Sequence, residues 1–403
     1  MNELAVRVLQ LYTPRELCAE LERVGADSSV EEKIARAQFH VLKLERVSLT
    51  LARLLYQELV MEGGQVVTAP RLDHVGEGET DVLLCATRYQ FNHLLVRLQW
   101  QPLEELHLLA DALERALNHF TSPPPALELS STRFDWTRTY LMGILNVTPD
   151  SFSGDALMQT NDSEAEMGAR VVHRAHELVA DGADILDIGG ESTRPGSTPV
   201  DAETELRRVM PAVRALKNET PIPLSIDTSK ARVADAALNA GAHLINDVTG
   251  LRGDAEMKRV LAAHHAPVVI MHNWMRRERP QNVSDVLGTI IDELRAQIDV
   301  ALDAGISEKN IIIDPGLGFG KTTMENLEIL NRLAELRVFG LPVLIGPSRK
   351  GFISKATGVE VDERAEGTAA AVAVGIVRGA NIVRVHDVKA MARVARMADA
   401  ILR

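Results

Sequence analysis

Residues 140–155 read YLMGILNVTPDSFSGD, and the fold turns on how this stretch is taken. Leu141, Met142, Ile144, Leu145 and Val147 form an apolar run too short for a helix, which predicts a buried strand. The run breaks at Thr148-Pro149, where strand becomes loop. Asn146, Asp150, Ser151 and Ser153 crowd that strand end and the loop beyond it, the place where parallel α/β folds keep their chemistry. Taken alone the stretch is equally well a polar turn. The pattern of the chain downstream favours the functional reading.

Strand-like and helical segments alternate from residue 140 onward. Strands are expected to begin near Leu141, Asp184, Pro223, His243, Val268, Ile311, Pro342 and Asn381. A helical pattern follows each, over 164–180, 202–217, 231–240, 254–263, 286–304, 324–336, 365–378 and 388–402. Eight βα units predict an α/β fold of the (β/α)8 TIM barrel type over 136–403. A doubly wound sheet is the runner-up. It is disfavoured because no strand runs into a GxGxxG turn and polar clusters follow nearly every strand.

The first 120 residues read differently. Pro14 suits a first helical turn. Ile34, Ala37, Val41, Leu44, Leu51, Leu55 and Leu59 lie at helical spacing over 30–62, a pattern stopped by Gly63-Gly64. Two β-like runs, 65–68 and 81–85, precede helical patterns at 89–98 and 102–120. A small, mostly helical α/β domain is expected over 1–120, of unknown role. Its histidines, His40, His74, His93, His107 and His119, show no ligand spacing and read as packing or solvated residues. A linker is expected over 121–135, opening with TSPPP, since consecutive prolines favour extended chain.

With 403 residues, 46% hydrophobic and 25% charged, the composition is that of a soluble globular protein. A net charge of −12 argues against a nucleic-acid or anionic-membrane partner. Cys18 and Cys85 lack metal-type spacing and suggest no disulfide framework. Residues 1–10, MNELAVRVLQ, carry no basic start followed by an apolar core, so no secretory signal is expected. The apolar run 369–377 contains Gly375 and is about half the length of a membrane span. A cytoplasmic location is expected.

The second strand leads into ADILDIGGESTRPGSTP (183–199), with Asp187 at the strand end, Gly189-Gly190 at the turn, and Glu191, Ser192, Thr193 and Arg194 in the loop. Glycine admits close backbone approach to a ligand, while hydroxyls and a guanidinium suit an anionic or planar partner. By itself the loop is also a run of turn formers. Together with NVTPDSFS (146–153), however, it closely resembles the dihydropteroate synthase family, the pterin-condensing enzymes of folate synthesis. The resemblance continues through PLSIDTSK (223–230), HLINDVTGL (243–251), IIIDPGLGFGKT (311–322), LIGPSRKGF (344–352) and IVRVHDV (382–388). Each motif alone is weak; in this order they are specific. The N-terminal third lies outside the resemblance.

What the resemblance implies is condensation of 6-hydroxymethyl-7,8-dihydropterin diphosphate with p-aminobenzoate, giving 7,8-dihydropteroate and pyrophosphate. Asp314 would accept the paired donors of the 2-amino-pyrimidinone edge, with Asn246, Asp227 and Lys350 around the ring. Asn146, Arg384 and His386 would hold the diphosphate, with Mg²⁺ bound partly by Asn146. The loops carrying Asp150 and Thr193-Arg194 would close over the site. Arg349 and Lys350 belong to the seventh-strand loop, which with the N-terminus of the next helix would meet the p-aminobenzoate carboxylate. A homodimer is implied as well. The chain departs from the family pattern at Gly154-Asp155, where the usual order is reversed, at Gly351, and along 273–280. Two alternatives stay open: a pterin-binding methyltransferase module, and a non-catalytic pterin- or partner-binding protein. A methyltransferase needs no diphosphate site, so STRPG, SRK and RVHD favour the synthase.

Overall fold

The computed structural model describes residues 6–11, 13–26, 30–69, 78–148, 164–192, 198–275, 279–280, 283–360 and 363–402. The expected strands are Tyr140–Asn146, Ile185–Gly189, Leu224–Asp227, Leu244–Asp247, Val268–Met271, Ile311–Asp314, Leu344–Ile345 and Ile382–Val385, numbered here as barrel strands 1 to 8. Strands 1 to 6 pair in sequence order, and strand 8 lies between 1 and 7. All these pairings are parallel. Between strands 6 and 7 the ring closes on a parallel bridge, Ile313 with Val343, where the Ile313 N–H donates to the Pro342 carbonyl at 3.0 Å. The expected helices are present. The sixth is short, Thr323–Asn331, and continues as the 3-10 segment Leu333–Phe339. This is a (β/α)8 barrel, and the doubly wound alternative is excluded.

Side chains alternate along each strand, so one set meets the helices and the other fills the barrel. Leu141, Leu145, Leu186, Ile188, Ile226 and Ile313 belong to the outer core shared with the helices. Met142, Ile185, Leu244, Val269, Ile312, Leu344 and Ile382 form a separate interior cluster. Two residues further along strands 2, 4, 6 and 8 stand Asp187, Asn246, Asp314 and Arg384. The same period of two that fills the lower interior with aliphatics therefore aims polar groups into its upper end.

The stretch expected as linker, 121–135, is shorter than read. A hairpin of Leu127–Leu129 and Thr132–Phe134 lies inside it. Leu127, Leu129, Phe134 and Trp136 join the interior cluster, so the hairpin plugs the barrel at the start of strand 1. It is pinned by Trp136 Nε1 donating to the Pro125 carbonyl at 2.7 Å and the Tyr140 hydroxyl donating to Asp135 Oδ1 at 2.9 Å.

The chain forms two compact units, Met1–Leu117 and Asn118–Arg403. In the first, strands Phe39–Ser48, Glu79–Thr87 and Gln65–Thr68 make an antiparallel sheet with Glu79–Thr87 in the middle. Leu55, Leu59, Leu84, Phe91, Leu94 and Leu113 are among its core residues. The helix expected over 30–62 is corrected: Val30–Ala37 and Leu49–Met61 are helical, and Phe39–Ser48 between them is a strand. Val41 and Leu44 happen to fit a helical spacing, but Leu42 and Leu44 pack on the core while Val41 and Lys43 alternate outward. Pairing with the distant strand Glu79–Thr87 overrides the local pattern. Helix Pro14–Arg23 starts as read, with Pro14 in its first turn and a reciprocal cap between Thr13 and Glu16. Among the described residues no helix is long and apolar enough to cross a membrane.

Candidate active site

Strand register fixes the height of the polar side chains. Asn146 stands opposite Gly189, Gly189 opposite Asp227, Asp227 opposite Asn246, and Met271 opposite Asp314. Arg384, opposite Met142, reaches across to this level with its long side chain. Its Nε donates to Asp187 Oδ2 at 2.6 Å and its Nη2 to Asp227 Oδ2 at 2.8 Å. Asp187 also accepts from Asn246 Nδ2 at 3.1 Å and from Ser225 Oγ at 2.6 Å. Four strands are thus joined through one carboxylate.

One guanidinium between two buried carboxylates leaves the cluster short of positive charge. The Asp227 carboxyl is pushed up to about 7, by burial first; Asp187, Glu205 and Asp247 add to the rise and Arg384 opposes it. Burial works to lower the Arg384 pKa, but Asp187 and Asp227 outweigh it and hold the guanidinium above its ordinary value. Asp227 Oδ1 is buried with no hydrogen-bond partner among the described residues. A buried acceptor left unpaired is costly, so this oxygen is suited to receive an N–H from a ligand.

Beside this network lies a second charged pair. Burial raises the Asp314 pKa against the pull of Lys350, and its Oδ1 accepts from the Gly316 N–H at 2.7 Å. Lys350 is pushed down to about 8 by burial, with Asp314 opposing. Its ammonium donates to the Leu317 carbonyl and sits 4.4 Å from the centre of the Phe319 ring.

The other expected site residues distribute unevenly. Asn146 Oδ1 lies 3.6 Å from where a Cβ on Gly189 would be, an ordinary contact distance that places this amide beside the end of strand 2. His386 Nδ1 is 3.0 Å from Ser348 Oγ, which ties the eighth strand end to the seventh-strand loop. Arg349 makes a two-pronged pair with Asp387, at 3.1 and 2.7 Å, and so staples those same loops instead of entering the acid cluster. Gly351 faces open space, with nothing within 4 Å of a would-be Cβ. Asp150, Thr193, Arg194 and the Gly154-Asp155 pair lie outside the described residues, as do 276–278 of the divergent fifth-strand loop.

Two residues at the site escape a reading of the sequence. Asp187 is legible as a strand end but not in its role, although its spacing from Ile185 and Gly189 puts it on the interior face. Lys321 ends the GLGFGK run and proves to be half-buried, donating to the carbonyls of Gly316, His272 and Phe319. No sequence signal marks those carbonyls as its partners, because one of them belongs to a different strand end.

Comparison with known proteins adds to this geometry. Residues 142–386 match the pterin binding enzyme family. The chain is 47% identical over 265 residues to the dihydropteroate synthase of Bacillus subtilis, spanning 66% of this chain and 89% of that protein. It is 37% identical over 390 residues to the folic acid synthesis protein of Schizosaccharomyces pombe, spanning 93% of this chain and 50% of that one. The solved structure of dihydropteroate synthase from Xanthomonas albilineans in complex with 7,8-dihydropteroate superposes with a TM-score of 0.61 at 39% identity, over 69% of this chain and 99% of that one.

Proposed function

This chain belongs to the dihydropteroate synthase family of pterin-binding enzymes, and from that premise we propose the division of labour at its strand ends. The enzyme condenses 6-hydroxymethyl-7,8-dihydropterin diphosphate with p-aminobenzoate, releasing pyrophosphate and 7,8-dihydropteroate. The observation that carries the assignment of roles is the network joining Asp187, Asp227, Asn246 and Arg384 next to Asp314 and Lys350. The two Asp314 oxygens suit the paired donors of the pterin edge, and the unpartnered Asp227 Oδ1 suits a ring N–H. Asn246 and Lys350 match the remaining rim. Each hydrogen bond to a charged group is worth about 1.5 to 3 kcal/mol, so several together select a pterin over an isosteric ring.

Arg384 belongs to both halves of the reaction. It is held by the acids on the pterin side and stands two residues before His386, where the diphosphate is expected. As the C–O bond at the pterin methylene breaks, negative charge grows on the departing oxygen and the guanidinium stabilises it. The p-aminobenzoate nitrogen then forms the new C–N bond and loses a proton. For Mg²⁺, the amide oxygen of Asn146 at the end of strand 1 fits as a single hard ligand, since this ion takes most of its shell from phosphate and water; bound, it would offset the diphosphate charge.

The test is to incubate the purified full chain with both substrates and Mg²⁺ and measure dihydropteroate and pyrophosphate. Pterin binding by calorimetry with neither product formed would overturn the catalytic reading in favour of a binding protein.

A homodimer and a cytoplasmic setting complete the proposal. Supporting the first, Val374 and Val377 on Ala365–Val377 and Met397 and Ile401 on the neighbouring helix Val388–Leu402 are exposed apolar residues. Sedimentation across a range of concentrations checks it. Supporting the second, Cys18 and Cys85 are both free thiols. Cell fractionation checks that. The N-terminal unit is proposed to be an accessory domain that the barrel's chemistry does not require.

A further inference from the structure

The loop after strand 6 carries three glycines in the left-handed region: Gly316 at φ +67°, Gly318 at +83° and Gly320 at +74°. At Gly316 a Cβ would come within 1.8 Å of the His272 carbonyl oxygen, so the close approach of the two strand ends requires glycine there. Such a loop has little stiffness of its own. It nevertheless places two parts of the pterin half-site, because the Gly316 N–H orients Asp314 and Phe319 lies beneath the Lys350 ammonium.

Asn326 Oδ1 accepts from the Gly318 N–H at 2.7 Å and Lys350 donates to the Leu317 carbonyl, but of these side chains Lys321 is the one that ties the loop to the end of strand 5. Its Nζ donates to the Gly316 carbonyl at 2.9 Å and to the carbonyls of His272 and Phe319 at 3.3 Å each. Three donors thereby meet three acceptors and join both ends of the loop to the end of strand 5. The Trp274 N–H donates to the same Phe319 carbonyl at 3.4 Å, and Trp274 belongs to the segment where this chain leaves its family's pattern.

We propose that Lys321 is a positioning residue for pterin recognition, holding residues 315–320 so that Asp314 and Lys350 meet the pterin edge together. The inference rests on the synthase reading above. Lys321 acts through the loop it clamps; burial pulls its own pKa down to about 7 with Asp314 opposing, and in its charged form it helps keep Asp314 ionised, the state that accepts two pterin donors.

The experiment compares Lys321→Met and Lys321→Gln with the wild-type chain, using calorimetry with 6-hydroxymethylpterin and steady-state kinetics. The methionine keeps the length and loses all donors; the glutamine keeps an amide that can serve two carbonyls. Lys321→Met should raise the pterin Kd and the KM for the dihydropterin diphosphate about tenfold or more, while the KM for p-aminobenzoate moves less than about twofold. Lys321→Gln should recover part of the loss. A folded Lys321→Met with wild-type pterin Kd, or equal rises in both KM values, overturns the proposal. Should the methionine variant fail to fold, Lys321→Gln decides: a pterin Kd raised about threefold or more supports the clamp, and a wild-type Kd overturns it. A wild-type chain that binds pterin but forms no dihydropteroate sinks the synthase reading instead, and the calorimetric comparison still decides the role of Lys321.

Discussion

The two ends of the barrel interior are built from the same strands and obey opposite rules. Below, Phe134, Met142, Leu244 and Ile312 are essentially excluded from solvent and belong to one apolar cluster. Above, the next inward residues are Asp187, Asn246, Asp314 and Arg384, equally buried for the acids but bound by charge and hydrogen bonds. A step of two residues along a strand separates them. The lower end contributes stability through burial of apolar area, whereas the upper end costs stability because buried ions are poorly solvated. The barrel tolerates that cost where a ligand completes the pairing.

Changing one residue at each end tests the contrast most sharply. Arg384→Ala removes the cation shared by Asp187 and Asp227, so turnover should fall by about 10² or more. It should also lower stability by about 3 to 5 kcal/mol, because two buried carboxylates lose their partner. Unchanged turnover at saturating diphosphate substrate would remove Arg384 from the chemistry. Phe134→Ala, at the lower end, should cost about 3 to 5 kcal/mol in urea unfolding with kcat unaltered on the folded fraction. A matching loss of kcat would erase the distinction between the two ends.

The hairpin makes a related prediction about truncation. A chain beginning at Ser122 keeps Leu127 and Leu129 in the interior cluster and should fold and make dihydropteroate. One beginning at Ser130 loses both and should be less stable by about 2 to 5 kcal/mol for each leucine removed, or fail to fold. Equal melting temperatures for the two would show that the plug is dispensable. A folded Ser122 chain without turnover, restored by adding residues 1–120 separately, would show that the N-terminal unit completes the site.

Smaller effects are expected from the acids. Asp314→Asn should weaken pterin binding by about 1 to 3 kcal/mol, and wild-type affinity in calorimetry would refute its place at the pterin edge. Asp227 titrates near about 7 in the folded chain against an ordinary carboxylate value when unfolded, so the folded state binds the extra proton between the two. Its contribution to stability is therefore fully present below the unfolded pKa and is lost as pH rises toward about 7. Relative to wild type, Asp227→Asn should gain up to about 1 kcal/mol per pH unit between about pH 5 and 7. Parallel stability profiles for the two proteins across that range would contradict the raised pKa.

The barrel was legible because its signals are local and repeated. Eight short apolar runs, each followed by a helical pattern, allow few arrangements, and the motif at each strand end marks which end holds the chemistry. The N-terminal strand Phe39–Ser48 was not legible: its residues fit a helical spacing until the pairing with Glu79–Thr87, distant in sequence, is known. The hairpin hid for the same reason, since Leu127 and Phe134 acquire meaning only from an open barrel end beneath strand 1.

At the site, sequence alone determined which residues stand at strand ends and what each can donate or accept. Tertiary structure decided which of them are joined by a hydrogen bond or a charge. That Arg384 is held between Asp187 and Asp227, that Arg349 turns away to Asp387, and that Lys321 clamps two strand ends follow from distances across the barrel. Hydrogen bonds and charge interactions act over a few ångströms in space, and residue numbers 157 or 197 apart carry no trace of such proximity.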